Sequence, residues 1–277
     1  MSEDGFLTAS FGRKPQRVTW IAHNDRKSLE ANQTNLSVFT ETHFNPFTII
    51  RDEASIKVGW ITESRAIRPF GYLASILALP FLDLILTNDR RLLRWSRKYS
   101  LVHVGSSRAS EHDIYAEHKK QHLVSIIASS KRSTAGHKFR HRVIKKFGSK
   151  LDLWGSGYKT FRDKREALGP YRYSVAIMNA NYASYFTEIL IDCFVFKTIP
   201  IFWGDPTVMN EFDSRGMYVF RNMDELEIIL SRINPQDYEE RLPYVEENYK
   251  TAVSKFLSTD DIVADKLLAL TRLHTER

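Results

Sequence analysis

The sequence predicts an α/β protein made of two parallel-sheet halves. Three observations carry this. Short apolar runs alternate with helix-like stretches along most of the chain. The alternation pauses once, over the polar stretch Gly105–Gln121, and then restarts. Within the second half, Tyr173–Pro206 (YSVAIMNANYASYFTEILIDCFVFKTIPIFWGDP) reads as strand, polar loop, helix, strand and Gly-containing loop. At 277 residues the chain is long enough for two domains of ordinary size, and 43% hydrophobic with 26% charged residues is a globular composition. The expected division is 1–110 and 111–257, with a helix over residues 258–277 returning to the first half. Joining two such halves once places a cleft between them, a common ligand position.

Each element has its own signal. Arg17–Ala22 reads as a strand, and Leu29–Asn45 is ambiguous. The β-branched and aromatic residues of Phe47–Ile50 and Ile56–Ile61 predict strands. Ile67–Leu79 reads as a helix and Leu82–Thr87 as a strand. Asn88 is a candidate cap for a helix over Asp89–Lys98, and Leu101–Val104 closes the first half as a strand. In the second half Leu123–Ala128, Leu151–Trp154, Tyr173–Met178, Ile199–Trp203 and Met217–Phe220 read as strands. Helices are expected at Ala135–Phe147, Thr187–Phe196, Met223–Arg232 and through Pro235–Thr275. The most apolar stretch, Phe70–Leu86, is broken by Pro80 and Asp83 and is short for a membrane span. It reads as a buried helix followed by a buried strand.

The start, MSEDGFLTAS, lacks the basic and apolar regions of a secretory leader. The single cysteine, Cys193, lies in the apolar run ILIDCFVF and reads as a core thiol. A reducing cytoplasm fits both features. The formal charge of +7 favours anionic partners: nucleic acid, lipid headgroups or a phosphorylated ligand.

The placement of charge narrows that choice. From Lys131 to Lys150 there is no Asp or Glu. This stretch follows a strand, and Ser133 or Thr134 can cap the helix it opens. The first turn then offers free backbone N–H groups and a positive dipole end to an anion. Lys131, Arg132 and Arg140 are close enough in sequence to surround that spot. A nucleoside diphosphate suits it. A nucleic-acid helix is the alternative, although base-stacking aromatics are not interleaved with the charges. A merely solvated face accounts for Lys145, Lys146 and Lys150. No Asp-x-Asp motif, His/Cys metal cluster or Gly-rich phosphate loop occurs, which disfavours a metal-held diphosphate and NTPase chemistry.

Residues 173–204 resemble the donor-binding motif of the α-1,3-fucosyltransferases, glycosyltransferase family 10. The family pattern runs Tyr-x-Phe, Phe-Glu-Asn-Ser, Asp-Tyr-hydrophobic-Thr-Glu-Lys, then Gly-x-Val-Pro-Val and a closing Gly. Asn179, Tyr185, Thr187, Glu188, Pro200 and Gly204 match it in order and spacing. Upstream, SSKRSTAGHKFRHRVIKKFGSKLDLWGSG is similar to the preceding family block, with Arg140 and the Asp152–Gly155 turn in the matching places. GWITESRAI followed by FLDLILTND is similar to the family's Glu-Ser-Pro segment and the strand after it. The resemblance covers most of residues 56–222. The family's Lys after Glu is Ile189 here, and its Glu in Phe-Glu-Asn is Met178.

The resemblance implies a two-Rossmann (GT-B) fold and an inverting sugar transfer from a nucleotide-sugar, GDP-fucose in the family, without a catalytic metal or other required cofactor. It implies Glu63 as the base that takes the acceptor proton. Arg140, with Lys131 and Arg132, would stabilise the leaving diphosphate. Glu188 would accept ribose hydroxyls, and Asn179, Tyr185 and Thr187 would position sugar or base. Gly155 would let the backbone approach the donor closely. The acceptor would be a glycan or glycolipid, so peripheral membrane contact is compatible with the reading and nucleic acid is not expected. Two alternatives stand beside it: a non-catalytic nucleotide- or glycan-binding relative, motivated by Met178 and Ile189, and a nucleic-acid-binding protein driven by charge.

Overall fold

A computed structural model describes residues 36–103 and 105–275. The expected strand at Arg17–Ala22 lies outside them. The described residues fall into two compact units, 36–103 with 258–275, and 105–257.

The first unit is a four-stranded parallel sheet in sequential order: β1 (Leu36–Thr40), β2 (Ile56–Trp60), β3 (Leu84–Thr87) and β4 (Tyr99–Leu101). Strand β1 arises in the stretch left ambiguous by the sequence. Residues Phe47–Ile50 are not a strand but part of helix α1 (Pro46–Arg51). The Asn45 side chain accepts from the Phe47 N–H at 3.0 Å, and Pro46 at the first helical position fixes a helical φ. These start signals override the β-branched run. Helix α2 (Pro69–Ala78) follows β2 as expected. The predicted helix at Asp89–Lys98 is only a 3-10 turn, Leu92–Arg94, and Asn88 does not cap it. Instead the Thr87 hydroxyl accepts from the Asp89 N–H, and the Asp89 carboxylate from the Arg91 N–H, at 3.1 and 2.9 Å.

Sequential right-handed crossovers put α1, α2 and the 3-10 turn on one face of this sheet. Ile49, Tyr72, Ala78 and Leu92 pack there with Phe39, Ile61, Ile85 and Tyr99. Helix α9 (Thr259–Thr275) covers the other face, where Val263 and Leu267 meet Val58, Trp60 and Leu86.

The second unit is a five-stranded parallel sheet in the order β6-β5-β7-β8-β9. Its strands are β5 (His122–Ile127), β6 (Asp152–Trp154), β7 (Tyr171–Ile177), β8 (Ile199–Trp203) and β9 (Tyr218–Val219). Its helices are α3 (Glu111–Tyr115), α4 (Ala135–Phe147), α5 (Lys164–Leu168), α6 (Glu188–Val195), α7 (Met223–Arg232) and α8 (Pro235–Lys255). Phe139, Val143, Ile126, Val175, Ile201, Leu226 and Val245 belong to one core.

The chain steps from β5 outward to β6, then returns past β5 to β7. The strand order therefore reverses between β5 and β7. In open α/β sheets this reversal opens a crevice at the carboxyl ends of the strands, where ligands bind. The loops that border it, β5 to α4 and β7 to α6, are the two that carry the candidate donor residues.

Candidate active site

The β5–α4 loop ends in a well-made helix start. Thr134 accepts from the His137 N–H at 3.1 Å, and His137 Nδ1 accepts from the Thr134 N–H at 3.4 Å, closing a capping box. Lys131 and Arg132 are exposed at this start. The Lys131 carbonyl accepts from His141 Nε2 at 3.1 Å, which ties the loop to α4.

Helix α4 and the end of β7 are in backbone contact. The Gly136 N–H donates to the Asn179 carbonyl at 3.2 Å. A Cβ on Gly136 would lie 1.8 Å from the Met178 carbonyl oxygen, so only glycine allows this approach. Gly155 serves the neighbouring strand in the same way. Its φ is +107°, and a Cβ there would lie 2.1 Å from the Ala128 carbonyl. The end of β6 is thereby drawn against the end of β5.

Arg140 is 6% exposed and donates from Nη2 to the carbonyl of Ile177, the last residue of β7. Burial pushes its guanidinium below the ordinary value, while Glu188 and Tyr185 act in the opposite sense. The arginine from α4 thus shares an electrostatic neighbourhood with two residues of the β7–α6 segment, and the strand reversal brings them together. His137 is likewise held below its ordinary value, by burial first and then by Arg140, Lys131 and His141, with an Asn179 hydrogen bond acting the other way. Its imidazole is mostly neutral at pH 7, leaving the positive charge to the lysine and arginines.

The β7–α6 loop is ordered by its own contacts. Tyr182 and Tyr185 stack at 4.6 Å between centroids, and Ser184 takes a left-handed φ of 65°. The Thr207 hydroxyl accepts from the Ser184 N–H at 2.7 Å. Thr187 caps α6, its hydroxyl accepting from the Ile189 N–H at 3.4 Å. Glu188, in the first turn, is partly exposed and lies 3.7 Å from the Arg108 guanidinium. The segment entering this unit passes close over the same helix start: a Cβ on Gly105 would lie 2.6 Å from Thr187 Cα. Asp192, fully buried in α6, accepts from the Ser107 hydroxyl and the Arg108 N–H, both at 2.8 Å, and pairs with Lys164. Arg108, Gly105 and Gly136 are therefore parts of the site that motif reading passed over. The Gly and Arg identities were visible, but nothing local marked their partners, 42 to 82 residues away in sequence.

Met178 is an interior side chain. It is 0% exposed, and its sulfur takes a 3.8 Å contact from the Thr187 hydroxyl. Gly204 passes so close that a Cβ would come within 3.1 Å of Met178 Cγ. An apolar side chain suits this packed place, where the family pattern carries Glu.

In the first unit, Glu63 is exposed three residues past β2. Three anchors hold its loop. Glu41, buried after β1, accepts from the Thr62 N–H at 3.0 Å, the Thr62 hydroxyl at 2.8 Å and the Glu63 N–H at 3.1 Å. Tyr72 donates to the Glu63 carbonyl at 3.0 Å, and Arg65 pairs with Asp89. Among the described residues no group of three or more His, Cys, Asp or Glu is placed to hold a metal.

The architecture belongs to the GT-B class, two parallel α/β sheets in two units. An α1,3-fucosyltransferase solved with GDP superposes with a TM-score of 0.53 at 19% identity, over 85% of this chain and 77% of that one. One solved with GDP-fucose gives 0.51 at 14% identity, over 82% and 91%. Anabaena Alr3699/HepE in complex with UDP gives 0.57 at 10% identity, over 86% and 79%.

In sequence, one stretch of the chain is similar to an α-1,3-fucosyltransferase. It is 35% identical over 72 residues to the α-(1,3)-fucosyltransferase FucT of Helicobacter pylori, a stretch that spans 25% of this chain and 15% of that protein. No protein-family model matches the chain. No described helix is long and apolar enough to cross a membrane.

Proposed function

We propose that the protein is an inverting glycosyltransferase that moves a sugar, fucose from GDP-fucose by analogy with its relatives, onto a glycan hydroxyl. The observation that carries this is the convergence of Arg140, Tyr185 and Glu188 at the strand reversal of the second unit, beside the capped start of α4. That arrangement supplies a guanidinium and the positive end of the α4 dipole for a diphosphate, and a carboxylate for ribose hydroxyls.

In this reading Glu63 takes the proton from the acceptor hydroxyl as that oxygen bonds to the anomeric carbon. The bond from the anomeric carbon to the β-phosphate oxygen breaks, and its electron pair leaves on GDP. Arg140, assisted by Lys131 and Arg132, stabilises the charge that develops there. Asn179, Tyr185 and Thr187 position the donor, and Gly155 keeps backbone near it. The anchored Thr62–Glu63 loop supports a fixed base, and the exposure of Glu63 leaves it open to an acceptor.

Calorimetry with GDP, paired with turnover of GDP-fucose in the presence of glycan acceptors, tests the assignment. Glu63→Gln is expected to bind GDP as the parent does and to lose transfer by about 100-fold or more. Arg140→Met is expected to weaken GDP binding as well as transfer. Absence of GDP binding in the parent overturns the donor assignment. Binding without transfer from any of GDP-, UDP- or CMP-sugars would instead mark a non-catalytic relative, the reading that Ile189 favours by removing the family's lysine from α6.

A further inference from the structure

Helix α2 is apolar on its outward face as well as its inward one. Its inward face is Gly71, Tyr72, Ser75 and Ala78, and the two hydroxyls there are satisfied. Tyr72 donates to the Glu63 carbonyl and to Asn88 Oδ1, at 3.0 and 3.1 Å, while Ser75 bonds to the Tyr72 carbonyl and to Tyr99, at 2.8 and 3.0 Å. Its outward face is Phe70, Leu73 and Leu77, spaced three and four apart, with exposures of 82%, 57% and 62%. The neighbouring elements of the same layer continue the pattern. Phe47 and Ile50 on α1 are 74% and 53% exposed, and Trp95 after the 3-10 turn is 68% exposed. Single exposed apolar residues need no explanation, but a run of phenylalanine, leucine and tryptophan across one layer does.

The charges on this stretch decide what covers it. Between residues 46 and 98 the exposed arginines are Arg51, Arg68, Arg90, Arg91, Arg94 and Arg97. The exposed carboxylates there are Glu53 and Glu63. A second copy of the chain meeting this face through a two-fold axis would set arginines against arginines. An anionic bilayer surface is complementary in both respects. Its headgroups pair with the arginines, and its acyl boundary takes the aromatic and leucine side chains.

We propose that the α1–α2 face of the first unit is a membrane-docking surface, on which Phe70, Leu73, Leu77, Phe47 and Trp95 enter the headgroup region of an anionic leaflet under arginine attraction. The proposal rests on residues of the first unit alone and does not depend on the assignment of the donor residues.

Co-sedimentation of the full chain with vesicles tests this, using phosphatidylcholine mixed with phosphatidylglycerol and phosphatidylcholine alone. The parent is expected to sediment with the mixed vesicles, less with the neutral ones, and less again as salt is raised. The triple variant Phe70→Glu, Leu73→Glu, Leu77→Glu is expected to lower partitioning by about tenfold or more. A thermal melt matching the parent's checks that it folds. A second readout needs no triple variant: the mixed vesicles should shift the parent's tryptophan emission to the blue, and Trp95→Phe should remove most of that shift. The proposal is overturned if the parent stays in the supernatant with both vesicle types, or if the folded triple variant sediments as well as the parent. It is also overturned if the triple variant changes only the mass of the protein in solution.

Discussion

The candidate donor site depends on contacts too close for ordinary side chains, and these give the sharpest expectations for single residues. Gly136 is one: a methyl group there collides with the end of β7, so α4 must move away from the strand that Arg140 grips. Gly136→Ala should destabilise the protein by about 1–3 kcal/mol, seen as a lowered denaturant midpoint, and should weaken GDP binding in the same preparation. An unchanged midpoint would mean that the contact relaxes freely. His137 reports on the same place without perturbing it. It is buried among cations and held below its ordinary value of 6.5. A diphosphate bound at the start of α4 would favour the imidazolium, so its pKa should rise when GDP is added, visible by NMR titration. By linkage, GDP affinity should then increase as pH falls through that range. A His137 titration indifferent to GDP would place the nucleotide elsewhere.

At the scale of elements, the second unit was largely readable from the sequence. Helix α4 spans the predicted residues, and β5, β7, α6 and β8 lie where the motif put them, within the usual drift of element ends. Buried parallel strands read as apolar runs, and each βα turn carries its own cap. Short α5, Lys164–Leu168, was missed because five residues give too little periodicity. The first unit was less readable. At Phe47–Ile50 composition favours a strand, while Asn45 and Pro46 impose a helix. At Asp89–Lys98 the helix expected from Asn88 as its cap gives way to the Thr87 and Asp89 turn bonds. Glu41 could not be recognised, because its partners Thr62 and Glu63 come from another strand end. Its hydrogen bonds from the Thr62 N–H and hydroxyl and the Glu63 N–H set the loop that carries the proposed base. Glu41→Ala should therefore lower kcat by about 10- to 100-fold while leaving GDP affinity intact, since small displacements of a reacting group are costly. A parallel loss of GDP binding would instead mean general misfolding.

The whole molecule should respond to acid through a polar cluster at the amino end of the second sheet. Tyr173 and Tyr218 donate to Asp237 at 2.6 and 2.8 Å, and Arg241 pairs with it at 3.0 Å. Burial acts to raise Asp237, but these partners outweigh it and hold the carboxyl below the usual value. The stabilisation is complete above the unfolded-state pKa of about 4 and is lost as pH falls through the lower folded value. Denaturation at stepped pH should show an acid-sensitive component below about pH 4, shrinking in Asp237→Asn, which should also be less stable at pH 7 by about 1–3 kcal/mol. Equal acid sensitivity in the two proteins would assign that component elsewhere. The return of α9 to the first sheet has a different kind of consequence. Val263 and Leu267 complete a core begun by Val58, Trp60 and Leu86, two hundred residues earlier. On the ribosome, the 105–257 unit has all its residues before the first unit does. The half of the chain made first is therefore the half finished last, and it depends on whatever shields an uncovered sheet face until residues 258–275 emerge.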